Sequence, residues 1–132
     1  MHRVLQLLPL LLVACGTSTT PTSSLYHVAV VSSPTHTNMA GDYIRDVTLL
    51  VTGVGTGQPA TGIGIRVAVT GGSVASTSLI SGSTGEVALT WTIPAAATTP
   101  GTVYSLAFCA LNPGEGFCAV DVNGPDVIKA AF

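Results

Sequence analysis

The stretch Ile63-Gly64-Ile65-Arg66-Val67-Ala68-Val69-Thr70 decides the fold class of this chain. Its four branched apolar residues alternate strictly with small or polar ones. Successive side chains of a β-strand point to opposite faces, so this alternation predicts a strand with one face in a core and the other in water.

Residues 86–93 repeat the alternation and place Val87, Leu89, Trp91 and Ile93 on one face. Trp91 is therefore predicted to lie in the core. An outward position, as a platform for stacking sugars, is the less favoured interpretation.

Turn residues divide the rest of the chain after the N-terminal segment into further short strands. We find no 3.6-residue apolar period there, which excludes a helix-rich fold. Seven short strands in about 100 residues are typical of an all-β, antiparallel β-sandwich. The seven predicted strands are residues 25–31, 43–54, 63–70, 74–80, 86–93, 102–110 and 117–122.

The N-terminal segment has the pattern of an export signal. A basic start at Met1-His2-Arg3 precedes an apolar run over residues 4–13, and small residues follow. As a helix, ten residues reach about 15 Å, roughly half the hydrocarbon thickness of a bilayer. We therefore expect residues 1–14 to be a signal peptide that is removed.

Leu12-Val13-Ala14-Cys15 resembles the lipobox of bacterial lipoproteins. This resemblance implies that Cys15 receives a diacylglycerol, becomes the first mature residue and is then acylated on its amino group, for example with palmitate. Gly16 after the cysteine resembles the outer-membrane default of Gram-negative lipoproteins. The alternative is an ordinary signal peptide in which Cys15 is incidental. Residues 15–24 then form the lipidated cysteine and a flexible Thr/Ser tether, and residues 25–132 form the sandwich.

Cys109 and Cys118 remain as an even pair, which in an exported protein predicts a disulfide. Free thiols are the alternative. Redox chemistry is not favoured, because the C-x-x-C spacing is absent.

The predicted sixth and seventh strands conflict over this disulfide. If Tyr104, Leu106 and Phe108 face the core, Cys109 faces outward, whereas Cys118 shares the core face with Val120 and Val122. A β-bulge near the loop is the favoured solution. In the alternative, an apolar partner surface is exposed, made of Tyr104, Leu106, Phe108 and Phe117.

Residues 47–122 resemble a bacterial immunoglobulin-like domain of group 1, the invasin and intimin type. The matching pieces are Val47 to Thr52, Gly57-Gln58-Pro59, Ile63 to Val67, Gly71-Gly72, Thr84 to Thr90 and Gly101 to Leu106. The resemblance implies an immunoglobulin-like sandwich without catalytic activity. The transthyretin-like or carboxypeptidase-regulatory type of sandwich is a rival, because it shares the Gly-x-Pro turn.

Chemistry-bearing residues are few. Residues 15–132 hold three basic and six acidic side chains, a net charge of −3 with no basic patch, which argues against nucleic acid as a partner.

Ser83 lies in a Gly-Ser-Thr-Gly turn that misses the G-x-S-x-G spacing of a nucleophilic serine. A triad from His27 or His36 with an aspartate has no support in spacing, and His36 is expected in a loop. Asp42 and Asp46 are interpreted as solvated charges rather than a calcium site.

These observations favour a non-enzymatic, lipid-anchored protein of the cell envelope, with no cofactor and no metal, acting as a structural or protein-interaction module. Its expected location is the outer membrane. Its expected partners are the membrane, through the anchor, and an envelope protein or polysaccharide. The alternative is a module that binds a glycan or small ligand through loops 35–41 and 95–101.

Overall fold

The computed structural model describes residues 23–118 and 126–132. The predicted signal peptide, Cys15, most of the tether and residues 119–122 of the predicted seventh strand lie outside these described residues. Within them, the chain forms nine strands and one short 3₁₀ helix. The strands are β1 (Tyr26–Ser32), β2 (Thr35–Thr37), β3 (Tyr43–Gly53), β4 (Gly64–Val69), β5 (Ser73–Val74), β6 (Ser78–Ile80), β7 (Glu86–Ile93), β8 (Val103–Ala110) and β9 (Asp126–Ala131), and the 3₁₀ helix is Ala95–Ala97.

The strands form two antiparallel sheets, which confirms the predicted β-sandwich. Sheet I has the order β1-β3-β7-β5, with β2 also paired to β3, and sheet II has the order β6-β4-β8-β9. The orders β1-β3-β7 and β4-β8-β9 correspond to strands A-B-E and C-F-G of the immunoglobulin fold. The order along the chain differs from that of the immunoglobulin fold in one respect. Strand β5, which belongs to sheet I, comes before β6, which belongs to sheet II. The domain is thus an immunoglobulin-like sandwich.

The core lies between the two sheets and contains the side chains that the alternating runs predict. Ile65 and Val67 of β4 are buried, and Arg66 and Ala68, which alternate with them, are exposed. Trp91 and Ile93 of β7 are fully buried, which confirms the core position of Trp91. Two-residue periodicity therefore assigned both faces correctly.

Strand β9 corrects the prediction for the end of the chain. Phe117 and Cys118, which were predicted to begin the seventh strand, lie outside any strand, and β8 pairs instead with Asp126–Ala131. In β9, Ile128 and Ala130 face the core while Val127 and Lys129 are exposed. The predicted fourth strand is likewise replaced by the two short strands β5 and β6.

Gly71 and Gly72 allow the chain to leave β4 for sheet I. Gly72 has a φ of +73°, and a Cβ there would meet the backbone carbonyl oxygen of Thr92. A Cβ on Gly71 would meet the ring of Tyr104. Glycine is therefore required at both positions, for its conformation at one and for close packing at the other.

Candidate functional site

The start of the described chain is fastened to the loop between β8 and β9 by Asn112. This side chain is 4% exposed. Its Nδ2 donates to the carbonyl oxygen of Ser23 at 2.9 Å, and its Oδ1 accepts from the backbone N–H of Leu25 at 2.8 Å. The carbonyl of Leu25 in turn accepts from the N–H of Val54 at 3.0 Å. Residues 23–25 are thereby held at one end of the sandwich.

This end, which we name the tether end, comprises residues 23–25 and the loops 54–63, 81–85 and 111–118. Ser81 joins two of these loops, because its Oγ accepts from the N–H of Ile63 at 2.9 Å and donates to the carbonyl of Ala60 at 2.7 Å. Next to it, Gly85 N–H donates to the Gly82 carbonyl at 2.9 Å, which confirms that Ser83 lies in a β-turn. Ser83 is exposed and is not followed by a helix.

A cavity of about 240 Å³ opens at the tether end. Its walls are residues 62–64 and 111–115. Glu115 is one of the lining residues, and its Oε1 is buried with no hydrogen-bond partner. Ligand pockets for drug-sized molecules begin at about 300 Å³, so this cavity suits only a smaller group. It lies away from loops 35–41 and 95–101, which were predicted to form a ligand site.

The disulfide between Cys109 and Cys118 forms as predicted, with 5.8 Å between the two Cα atoms. No bulge is needed, since the pairing of β8 with both neighbours shows no register shift. Cys109 points to the outer face of sheet II, opposite buried Phe108, and exposed Cys118 reaches it from the loop. The predicted faces of Cys109 and Cys118 disagreed because Cys118 was assigned to a strand, whereas it lies in the loop. Arg66 also holds this loop, through a 3.2 Å bond from its guanidinium to the carbonyl of Gly116.

The alternative apolar partner surface is wrong for three of its four residues. Leu106 is 0% exposed and Phe108 is 6% exposed, because both face the core. Tyr104 is half-buried, with its ring centroid 6.4 Å from that of Phe132. Phe117 alone is well exposed, at 52%.

Asp42 and Asp46 do not share a site. Asp42 organises the far end of the sandwich, where its Oδ1 accepts from the N–H of Ala95 at 2.9 Å and its Oδ2 accepts from the Asn38 side chain at 3.2 Å. Asp46 lies on the outer face of sheet I. Across residues 23–118 and 126–132, no group of three or more His, Cys, Asp or Glu side chains is arranged to hold a metal ion.

Asp46 contacts both a histidine and a threonine. His36 Nδ1 lies 3.6 Å from Asp46 Oδ2, and Thr90 Oγ1 donates to Asp46 Oδ1 at 2.9 Å. A nucleophilic triad requires the histidine between the hydroxyl and the carboxylate, whereas here the carboxylate is central. His36 lies in strand β2, contrary to the loop predicted for it, and both side chains are about half exposed. The arrangement is that of a cross-strand pair on a solvated sheet face.

His27 is remote from this cluster. It pairs with Thr52 on β3, whereas His36 pairs with Ile44 eight residues earlier on the same strand. Eight residues of strand correspond to about 26 Å. The structure therefore does not bring the two histidines together.

Arg45 connects the two sheets at their open margin. Its guanidinium donates to the backbone carbonyl of Lys129 in β9 at 3.0 Å and to Ser33 Oγ at 3.1 Å, while its Nε is buried without a partner. One carbonyl of edge strand β9 is thereby occupied by a side chain of the opposite sheet. Such cover reduces the tendency of an edge to pair with other chains.

Sequence reasoning missed Asn112, Ser81, Glu115 and Arg45 as organising residues. Asn112-Pro113-Gly114 is a recognisable turn signal. That signal predicts a loop, but it does not indicate that the asparagine binds a backbone segment 87 to 89 residues away.

No protein-family model and no curated protein matches this chain. The assignment to group 1 of the bacterial immunoglobulin-like domains therefore stays a prediction from the residues. Among the described residues, no helix has the length and apolar character needed to cross a membrane.

Proposed function

We propose that this chain is a non-enzymatic lipoprotein of the cell envelope, in which an immunoglobulin-like sandwich is presented to a neighbouring protein or polysaccharide. The observation that carries the proposal is Leu12-Val13-Ala14-Cys15 at the end of a short apolar run, eight residues before the first described residue, Ser23. An outer-membrane location belongs to the same proposal.

The anchor explains why a single small domain would stay at a membrane surface. One buried acyl chain contributes about 0.8 kcal/mol per methylene, and a single short chain binds only marginally. Two or three chains on Cys15 would make the attachment effectively permanent.

The accessible parts of the sandwich suit binding rather than reaction. Strand β1 is a seven-residue edge strand of sheet I, and an extended segment of a partner can add to such an edge. The outer face of sheet I carries small polar side chains such as Thr48, Thr90 and Thr92, which can form hydrogen bonds to a protein or to sugar hydroxyls.

Metabolic labelling with a fatty-acid analogue tests the anchor. The wild-type chain and a Cys118→Ala control should be labelled, and Cys15→Ala should not. Label that persists in Cys15→Ala would overturn the lipid anchor. Crosslinking in intact cells tests the module, and a lipidated chain that captures no envelope protein or polysaccharide would overturn the binding role.

A second candidate function is the binding of a small ligand in the cavity at the tether end. The buried, unpaired Oε1 of Glu115 favours it, because a carboxylate oxygen there could accept a hydrogen bond from a ligand hydroxyl or amine. A thermal-shift screen of monosaccharides and small amines would test it. The stabilisation should be lost in Glu115→Ala, which removes the accepting oxygen, and kept in Glu86→Ala, since Glu86 is exposed on β7.

A further inference from the structure

We propose that the tether end of the sandwich rests on the lipid surface that holds Cys15, with the side chains of Leu25, Val54 and Phe117 in contact with the headgroup region. This inference rests on the lipid anchor proposed above. It adds an orientation and a contact surface to that anchor.

The reach of the chain excludes the opposite orientation. Seven residues lie between Cys15 and Ser23, so the chain takes eight steps from one Cα to the next, each of at most about 3.6 Å, or about 29 Å in total. Strand β3 has 11 residues and runs the length of the sandwich, about 33 Å from Tyr43 to Gly53. Gly53 pairs with Tyr26 at the tether end. A domain standing on its far end would therefore hold Ser23 beyond the reach of the anchor.

The tether end has the side chains that a headgroup region accepts. Leu25 is 56% exposed, Val54 is 49% exposed and Phe117 is 52% exposed. Within residues 23–25, 54–63, 81–85 and 111–118, the single charged side chain is Glu115, and one of its carboxylate oxygens is buried. Exposed Leu, Val and Phe side chains can bury apolar area at the boundary between headgroups and acyl chains, and a single carboxylate gives little repulsion from lipid phosphates.

The outer faces of the sheets are less suitable. Sheet I exposes Glu86 and Asp46 on its outer face, and sheet II exposes Arg66 and Lys129. A domain lying on sheet I would press carboxylates against lipid phosphates, which is unfavourable. The remaining alternative is a domain that lies on sheet II, because Arg66 and Lys129 would then contact the lipid phosphates.

The hydrogen bonds of residues 23–25 fix the point at which the tether leaves the sandwich. Asn112 bonds on both sides of Ser24, at the Ser23 carbonyl and the Leu25 N–H. Ser24 is itself buried, and its Oγ donates to the carbonyl of Tyr26 at 2.6 Å. The chain therefore leaves the domain at a fixed point beside Leu25 and Val54.

Two exposed valines at opposite ends of the sandwich provide a matched test. Val54→Trp places an indole at the tether end, and Val103→Trp places one at the far end of sheet II, where the native valine is 58% exposed. Trp91 is fully buried and gives both variants the same background. Each variant is purified as the full lipidated chain and reconstituted into vesicles of phosphatidylcholine with phosphatidylglycerol, prepared with plain or brominated acyl chains.

We expect brominated lipid to quench much of the fluorescence of the tryptophan introduced at Val54. The fluorescence of the tryptophan introduced at Val103 should be unchanged. Equal quenching of the two variants, or greater quenching at Val103, would contradict the proposed contact of the tether end with lipid. It would indicate a domain lying on sheet II. Absence of quenching in both would also contradict that contact and would indicate a domain held away from the lipid.

Two further measurements distinguish a missing lipid anchor from a wrong orientation of the domain. The mass of the purified protein reports the acyl groups on Cys15, and flotation with vesicles compares it with Cys15→Ala. A chain without acyl groups would overturn both the lipid anchor and the proposed orientation. A chain that carries acyl groups and floats with vesicles, but shows equal quenching of the two variants, would overturn the orientation alone.

Discussion

The indole Nε1 of Trp91 donates a hydrogen bond of 2.8 Å to the backbone carbonyl of Gly71. Trp91 is fully buried on β7 of sheet I, and Gly71 begins the turn by which the chain leaves β4 of sheet II. The largest side chain of the core therefore fills the space between the sheets and also satisfies a backbone group of the turn that joins them.

Trp91→Phe should destabilise the domain by about 2 to 4 kcal/mol, because it removes buried volume and leaves the Gly71 carbonyl without its donor. Urea unfolding followed by far-ultraviolet circular dichroism measures this change. An unchanged unfolding midpoint would show that the hydrogen bond and the ring contribute little.

Gly71→Ala should also destabilise, by about 1 to 3 kcal/mol, since the added Cβ would overlap the ring of Tyr104. Gly55→Ala is the matched control, because a Cβ there meets nothing within 4 Å. The control should stay within about 0.5 kcal/mol of wild type in thermal or urea unfolding. Equal effects of the two substitutions would contradict the close packing at Gly71.

Asn112→Ala should release the start of the domain. It removes the partners of the Ser23 carbonyl and the Leu25 N–H, at a cost of about 1 to 3 kcal/mol for each group that water does not reach. Hydrogen exchange read by mass spectrometry should show faster exchange of the Leu25 amide.

Asn38→Ala serves as the control for this prediction, because the Asn38 side chain bonds within its own exposed loop at the far end, to Ala40 and Asp42. It should leave exchange at Leu25 unchanged. Loss of protection at Leu25 in both variants would indicate general destabilisation and contradict a local role for Asn112.

Loss of the Cys109–Cys118 bond should lower the free energy of unfolding by about 2.5 to 3 kcal/mol, the chain-entropy value for a closed loop of about ten residues. The double variant Cys109→Ser with Cys118→Ser is compared with wild type in urea, with and without reductant. Reductant should bring wild type to the stability of the variant and leave the variant unchanged. A variant as stable as oxidised wild type would contradict the prediction.

Local alternation predicted the faces of β4, β7 and β8 because the two-residue period of a strand is a property of the backbone itself. The same reasoning failed after Ala110. Residues 117–122 have a stronger apolar alternation than Asp126–Ala131, yet β9 is the strand that pairs with β8. The local pattern does not show which segment pairs with β8. The loop before β9 is held by the disulfide to Cys109 and by Arg66, 50 residues from Gly116.

The candidate site was less predictable than the fold. The disulfide pair could be predicted because two cysteines remain after the predicted export signal, and an even pair there favours a disulfide. The role of Cys15 stays a prediction. The tether end could not be predicted, since its definition depends on Asn112 and Ser81, and each of these is an ordinary turn residue in the sequence.

By itself, the sequence determined the all-β class, the core faces of its clearest strands and the pairing of Cys109 with Cys118. These features follow from strand periodicity and from the chemistry of single residue types. The tertiary structure decided which segment became β9, how Cys118 reached Cys109 without a bulge, and at which end Ser23 enters the sandwich. Each of these depends on contacts such as Asn112 with Ser23, 89 residues apart, which exist only once the two sheets have packed.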